Sequence, residues 1–466
     1  MRITSAILSS ASSAANTPVE GAVPAFAQAP TTPVTIAGTG VISAIGRDVT
    51  ESLASFEKGA AGMGVISYLD TIHRGQLPVA EVKADNATLA QWGGLHALPA
   101  HASRTAASGR PSNREAATYA TSVSRTALLS LIAAKEALDR AAIPDPGRWR
   151  TGFISANTVG GMDKTENFYA DFLDNPQRGR LRDVVLHECG SVTEWVADRL
   201  GIKHFHSTIS TACSSSANAI GFGARMIRQG LLDVVVAGGT DALTKFTLNG
   251  FNSLMILDSN FCKPFDDHRM GLNLGEGAGY VVLVSDKVAA TLTGAPTAGA
   301  PDGTAPTAGT GCVLSGFANA NDAYHQTASS PDGRGSWLAM KGALQRAGLE
   351  PADIDYINLH GTGTQNNDLA EGTAIRRLFD PVYPPMSSTK SFTGHTLGAS
   401  GGIEAVFSVL ALVHGLVYPN LRFETPMSEL PFTPVTKLLK GQPLRHVLSN
   451  SFGFGGNCTS LIFSKR

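Results

Sequence analysis

The feature that most constrains this chain is an order of short motifs that occurs twice. Between 153 and 241, a strand pattern ending in small residues ("FISANTVGG") comes first. A Ser/Thr-rich junction before a helical pattern ("STACSSSANAI") follows, and then a strand entering a double-glycine turn ("VVVAGGTD"). Between 354 and 457, "IDYINLHGTGT", "SSTKSFTGHTLGASGGIEAVFSVLAL" and "RHVLSNSFGFGGN" keep that order at other spacings. Such self-similarity predicts two related α/β halves, each around a mostly buried sheet. Loops at the strand ends of both halves then converge on one site.

Length and composition bound the rest. The 466 residues, 43% of them hydrophobic, suffice for a large core and for two or three domains by length alone. A net charge of -1 argues against a general nucleic-acid or membrane-surface binder. Cys189, Cys213, Cys262, Cys312 and Cys458 are odd in number, scattered, and form no CxxC pair. They suggest neither disulfides nor zinc, and point to a reducing cytoplasm. No apolar run is long enough to span a bilayer, and "VFSVLALVHGLV" (406–417) reads as a buried helix.

The expected organisation is an Ala/Ser/Pro-rich flexible extension over 1–33 that only faintly resembles a signal peptide, a first half over 34–286, a low-complexity loop over 287–311, and a second half over 312–466. Residues 84–118 read as irregular, and 126–143 as a helix. "GEGAG" (275–279) lacks the spacing of a dinucleotide fingerprint, and "VVVAGGTD" lacks the Lys-Ser/Thr of a phosphate loop.

Several side chains carry possible chemistry. Cys213 stands where a strand gives way to a helix, whose N-terminus favours a thiolate and offers backbone N–H groups to an oxyanion; a buried structural cysteine is the alternative. His360 lies in a Gly/Thr turn, where a neutral imidazole can donate to an oxyanion or simply be satisfied locally. Thr362 and Thr364 offer hydroxyls to a polar ligand arm. Asp368 and Glu371, three apart on the following helix, share a face and suit a bound water, each other, or solvent. Lys390 lies among small and apolar residues, where its charge needs a partner, and Glu404 is in reach on the next helix. His395 is framed by glycines. Phe452 and Phe454 flank a glycine turn, as a gate or as core aromatics, with Gly453, Gly455 and Gly456 as hinges.

Taken together, "STACSSSANAI", "KPFDDHRMGLNLGEGAG", "NDAYHQTASSPDG", "NLHGTGTQNND", "KSFTGHTLGASGGIEA" and "SNSFGFGGN", in this order from about Pro33 to Arg466, resemble the β-ketoacyl synthases, condensing enzymes of the thiolase superfamily. The resemblance implies a thiolase-like, five-layered αβαβα duplication with mixed sheets. It makes Cys213 the acyl acceptor, His360 and His395 the pair that stabilises enolate and thioester oxygens, and Lys390 with Glu404 their electrostatic support. Phe454 becomes the gate and, with Cys213, a backbone oxyanion donor. Thr362 and Thr364 would bind a phosphopantetheine arm, Asp368 and Glu371 would order a water or the gating loop, and Val159 would shape the acyl tunnel.

The implied reaction is decarboxylative condensation of a malonyl thioester with an acyl group on Cys213, with no metal or redox cofactor. The implied partners are a separate acyl carrier protein, docked on a basic patch drawn from Arg104, Arg110, Arg114, Lys263 and Arg269, and a second ketosynthase chain. That second chain makes a homodimer or heterodimer, with "LDVVVAGG" pairing across the twofold axis. "HGTGT", "ACSSS" and Met270, which stands where an acidic residue is usual, lean toward polyketide or aryl-polyene-type synthesis. A degradative thiolase fits poorly, because Cys458 lacks the Cys-x-Gly context. A chain-length partner subunit is the alternative from another class.

Overall fold

The computed structural model describes residues 31–95, 123–292 and 309–466. Its strands are β1 (Val34–Ser43), β2 (Thr151–Ala156), β3 (Phe205–Ile209), β4 (Val234–Asp241), β5 (Gly277–Val284), β6 (Cys312–Asn321), β7 (Tyr356–Asn358), β8 (Met386–Ser387), β9 (His446–Phe452) and β10 (Asn457–Lys465). They hydrogen-bond in the order β3-β2-β4-β5-β1-β6-β10-β9-β7-β8. Adding five to each strand of the first half gives the second half in mirror order, and the senses match as well. The pairs β1/β5 and β4/β5 are antiparallel, as are β6/β10 and β9/β10. The pairs β2/β4 and β2/β3 are parallel, as are β7/β9 and β7/β8. Three residue pairs, from Val34↔Leu314 to Ile36↔Cys312, join the halves.

Helices complete five layers. Arg125–Arg140 and Cys189–Arg199 cover the outer face of the first half. Arg334–Ala347 packs on the outer face of the second, with Gln365–Phe379 against it. Between the halves run Ser215–Arg228 and Ser400–His414, each touching strands of both. This middle layer explains the unbroken apolarity of the last helix. Leu397–His414 is long and apolar enough to cross a membrane by composition, yet 89% of it is buried inside the protein.

Close approach makes the layering possible. A Cβ on Gly40 of β1 would lie 2.1 Å from the Ala133 carbonyl, and one on Gly38 would lie 2.3 Å from that of Ala137. A Cβ on Gly279 of β5 would sit 2.4 Å from the Ile403 amide of the central helix. Strand and helix backbones therefore touch directly, and larger residues would force them apart.

Two expectations change. The 84–118 stretch begins with a helix, Asn86–Trp92, because the Asp85 side chain caps it by accepting from the Thr88 amide; the part of it with Arg104, Arg110 and Arg114 lies outside the described residues. The "LDVVVAGG" segment cannot pair across a twofold axis, since β4 is already bonded to β2 on one side and β5 on the other. The strand with an unpaired edge in this half is β3.

The packing predicts opposite outcomes at two glycines. Gly279→Ala should lower the melting temperature, by the equivalent of about 1–3 kcal/mol for an overpacked contact. Gly190→Ala, on a helix face open to space, should raise it slightly. Thermal unfolding of both variants checks this, and equal shifts would contradict the direct-contact account.

Candidate active site

The serine run around Cys213 builds a fixed turn. Ala212 has φ +53°, a left-handed conformation that swings the chain from β3 into the helix Ser215–Arg228. The Ser215 hydroxyl donates to the Ala212 carbonyl at 2.5 Å and accepts from the Thr211 amide at 2.7 Å. Ser214 bridges Thr211 and Asn457, and Ser216 accepts from the Gly402 amide of the other central helix. Cys213 is thus held, 6% exposed, at the wall of a cavity of about 500 Å³. Burial pushes its thiol up to about 11, while Lys390 and the Phe454 amide pull the other way. Burial thus acts against the helix-terminus effect expected from the sequence and favours the thiol.

His360 and His395 face the same cavity with ring centroids 5.4 Å apart, at 87° to each other. Their tautomers follow from their partners. Lys390 Nζ lies 3.3 Å from His360 Nδ1, and an ammonium can only donate. His395 Nδ1 accepts from the Leu397 amide at 3.0 Å. Each ring therefore carries its proton on Nε2. Burial first, then the Lys390 charge, holds both imidazoles well below the usual histidine range. The site thus contains two neutral N–H donors.

Lys390 is buried between His360 and Glu404, with which it forms a direct ion pair. Burial raises the Glu404 carboxyl to about 7 against the pull of Lys390. Glu404 Oε2, Asn358 Oδ1 and Ser449 Oγ are buried without hydrogen-bond partners among the described residues. Asn358 and Ser449 face each other in register. Oxygens of this kind suit a buried water molecule. Among the described residues no group of three His, Cys, Asp or Glu side chains gathers as a metal site.

The two carboxylates after His360 face inward, neither toward solvent nor toward each other as hydrogen-bond partners. Glu371 accepts from the His360 and Gly361 amides and from Asn450 Nδ2. Asp368 accepts from the Thr362, Gly363 and Phe265 amides. Together they hold the "HGTGT" turn, in which Gly363 has φ +85°. Thr362 and Thr364 share a 2.9 Å hydroxyl contact and line the cavity. Phe454 also lines it, stacks on Phe251 at 5.7 Å, and precedes Gly455 and Gly456 with φ +78° and +76°. Phe452 is buried beside His360.

Three placements depart from the sequence reading. Val159 is not on the cavity wall; it lies behind it in a cluster with Leu243, Leu248, Leu272 and Leu397, of which Leu272 reaches the wall. Arg269 is 6% exposed and donates to the carbonyls of Thr364, Asp266 and Gln365. Lys263 pairs with Glu424. Neither is a free cation for docking, and among the described residues the cavity lining holds no Lys, Arg, Asp or Glu.

Sequence reasoning missed Asp241. Its oxygens accept from the Thr158 hydroxyl and the amides of Thr158, Val159 and Gly398, tying the "TVGG" turn to the His395 turn. The available signal was an acidic residue closing an apolar strand, since a buried carboxylate must collect donors.

Comparisons with known proteins show the family. Models of "Beta-ketoacyl synthase, N-terminal domain" and "Beta-ketoacyl synthase, C-terminal domain" match residues 31–289 and 311–424. The chain belongs to the β-ketoacyl synthase family. It is 32% identical over 443 residues to 3-oxoacyl-[acyl-carrier-protein] synthase 2 of Staphylococcus aureus, covering 93% of this chain and 98% of that one. It is 34% identical over 353 residues to a putative polyketide beta-ketoacyl synthase 1 of Streptomyces cyaneus, covering 72% and 80%. Among solved structures, the ishigamide ketosynthase/chain length factor superposes with a TM-score of 0.80 at 27% identity, over 94% of this chain and all of that one. The ketosynthase ApeO in complex with its chain length factor ApeC, from Xenorhabdus doucetiae, gives 0.74 at 31%, over 93% and 98%.

A resting thiol has a kinetic signature. Alkylation of Cys213 by iodoacetamide should accelerate close to tenfold per pH unit from 7 to 9 with no plateau, as the thiolate fraction grows toward a pKa of about 11. A plateau near pH 7, followed by peptide mass spectrometry, would show that the helix terminus prevails over burial.

Proposed function

We propose that the protein is a 3-oxoacyl-[acyl-carrier-protein] synthase that lengthens an acyl chain held on Cys213 by two carbons. The observation that carries this reading is one thiol and two neutral Nε2–H donors on one cavity wall. In the first stage the Cys213 sulfur attacks a carrier-bound acyl thioester. The acyl–sulfur bond to the carrier arm breaks, the arm leaves as a thiol, and the acyl group stays on Cys213. The Cys213 and Phe454 amides, the latter directed at the sulfur, stabilise the oxyanion of this step.

In the second stage a malonyl thioester occupies the vacated arm site beside Thr362 and Thr364. Its carboxylate leaves as carbon dioxide, and negative charge passes to the thioester oxygen, where His360 and His395 donate. The resulting carbanion attacks the acyl carbonyl, and the tetrahedral adduct collapses to a 3-oxoacyl thioester and the Cys213 thiolate, which takes up one proton from solvent to restore the thiol. Neutral imidazoles suit this task, since a donor is needed and no proton has to be lost. Lys390 keeps His360 in the donating tautomer, Glu404 balances the Lys390 charge, and Asp368 and Glu371 hold the turn. Phe454, on two positive-φ glycines, gates the cavity.

The partners we infer are an acyl carrier protein at the cavity mouth and a second ketosynthase-type chain along the open edge of β3. Relatedness to a ketosynthase solved with its chain length factor, and to a putative polyketide synthase, supports polyketide-type products. It also keeps a heterodimeric arrangement as the second reading. Five free cysteines fit a reducing cytoplasm.

Intact-protein mass spectrometry with a panel of acyl carrier thioesters tests the assignment. Wild type should gain one acyl mass, and Cys213→Ala none. His395→Ala should still be acylated but should condense with malonyl carrier at least about 100-fold more slowly. A folded wild-type chain that takes no acyl group, alone or with a co-expressed homologue, would refute the synthase reading.

A further inference from the structure

Cys213 is not the only sulfur at the cavity. Met255 and Met270 both line it, and both are exposed, at 87% and 67%. Each side chain therefore reaches the cavity and solvent at once, which places the two thioethers at the mouth. The other methionines of the described residues differ. Met340, Met386 and Met427 are buried, and Met63, Met162 and Met226 are half-buried. The thioethers open to solvent are thus the two beside the catalytic cavity.

The backbone at Met255 adds a second observation. Met255 follows the helix Lys245–Ser253 and has φ +55°, a left-handed conformation that glycine ordinarily supplies after a helix. Its amide closes the helix by donating to the Asn252 carbonyl at 3.0 Å. The turn by itself favours glycine, and a Cβ there is strained. A methionine holds the position all the same, so its side chain answers to something outside the turn.

Thioethers and thiols meet oxidants differently. A thiol reacts through its thiolate, whereas a thioether reacts without losing a proton. Burial pushes the thiols of Cys189, Cys213, Cys262 and Cys312 up to about 11, and that of Cys458 up to about 12. Cys213, Cys262, Cys312 and Cys458 are also buried. At neutral pH the exposed methionines are therefore the more available sulfurs.

We propose that Met255 and Met270 are a paired site of oxidation by hydrogen peroxide at the cavity mouth, and that their sulfoxides slow the entry of acyl groups. In each step the peroxide O–O bond breaks, one oxygen bonds to the methionine sulfur, and the other leaves as water with both peroxide hydrogens. Sulfur loses two electrons and peroxide gains them. The product is polar, where an apolar side chain faced the arriving acyl chain. The site of oxidation stands without the synthase reading, and the effect on acyl entry rests on it.

Treatment of the full chain with dilute hydrogen peroxide at pH 7, followed by peptide mass spectrometry, tests the site. Met255 and Met270 should gain oxygen at least about tenfold faster than the other methionines or any cysteine. Faster oxidation of Cys213, or of another methionine, would overturn the proposal. Acyl transfer to Cys213 from a carrier thioester tests the effect. The oxidised wild type should be acylated at least about threefold more slowly than the untreated chain. Methionine sulfoxide reductases of both stereospecificities should restore the rate, which separates the thioethers from damage to Cys213. A treated Met255→Leu/Met270→Leu double variant should keep the rate of the same variant untreated. An unchanged rate after complete oxidation of both methionines, or a loss that the reductases leave in place, would overturn the effect. Untreated wild type that takes no acyl group would count against the synthase reading alone, and the map of oxidised positions would still decide the site.

Discussion

Everything at the catalytic end depends on one buried ammonium. An isolated charge in the protein interior is costly, and it persists only where partners surround it. Lys390 finds an anion in Glu404, which sits on the central helix, and an acceptor in His360, which ends a strand of the second half. The ion pair therefore fixes the helix against the strand. It also decides which nitrogen of His360 is left to face the cavity.

The duplicated topology brings the remaining groups together. Each half delivers loops to the same end, and the two central helices lie between the sheets because glycines let backbones meet. Cys213 opens one of these helices and His395 precedes the other. Ser216 accepting from Gly402 joins the two across the layer, and Asp241 ties the first half to the His395 turn. Cys213 and the two histidines come from different halves, so neither half builds the cavity by itself.

Much of this was legible in the sequence because it is local. The repeat of motif order became a repeat of strand order, and Cys213, His360, Lys390, His395, Glu404, Phe454, Thr362 and Thr364 meet around one cavity or directly behind it. The illegible parts are those decided by distant partners. The spacing of Asp368 and Glu371 gives a shared helix face and leaves a water, each other or solvent as partners, whereas the amides they accept from belong to the preceding turn and to Phe265. Val159 lies one layer behind the cavity wall, since a motif gives position along the chain and not depth. Lys263 and Arg269 looked like docking cations because their partners, Glu424 and three carbonyls, are remote or belong to the backbone. Asp241 stayed hidden for the same reason.

The absence of formal charge from the described cavity lining has one more consequence. A compartment bounded by threonines, amides, methionines, aromatics and two neutral imidazoles has no ions to screen. Ionic strength then has little purchase on events inside it. Whatever salt does to turnover reports on the encounter outside, where a charged carrier meets the surface and is held long enough for its arm to enter. Salt titration of the steady state thus becomes a way to separate delivery of the substrate from its chemistry.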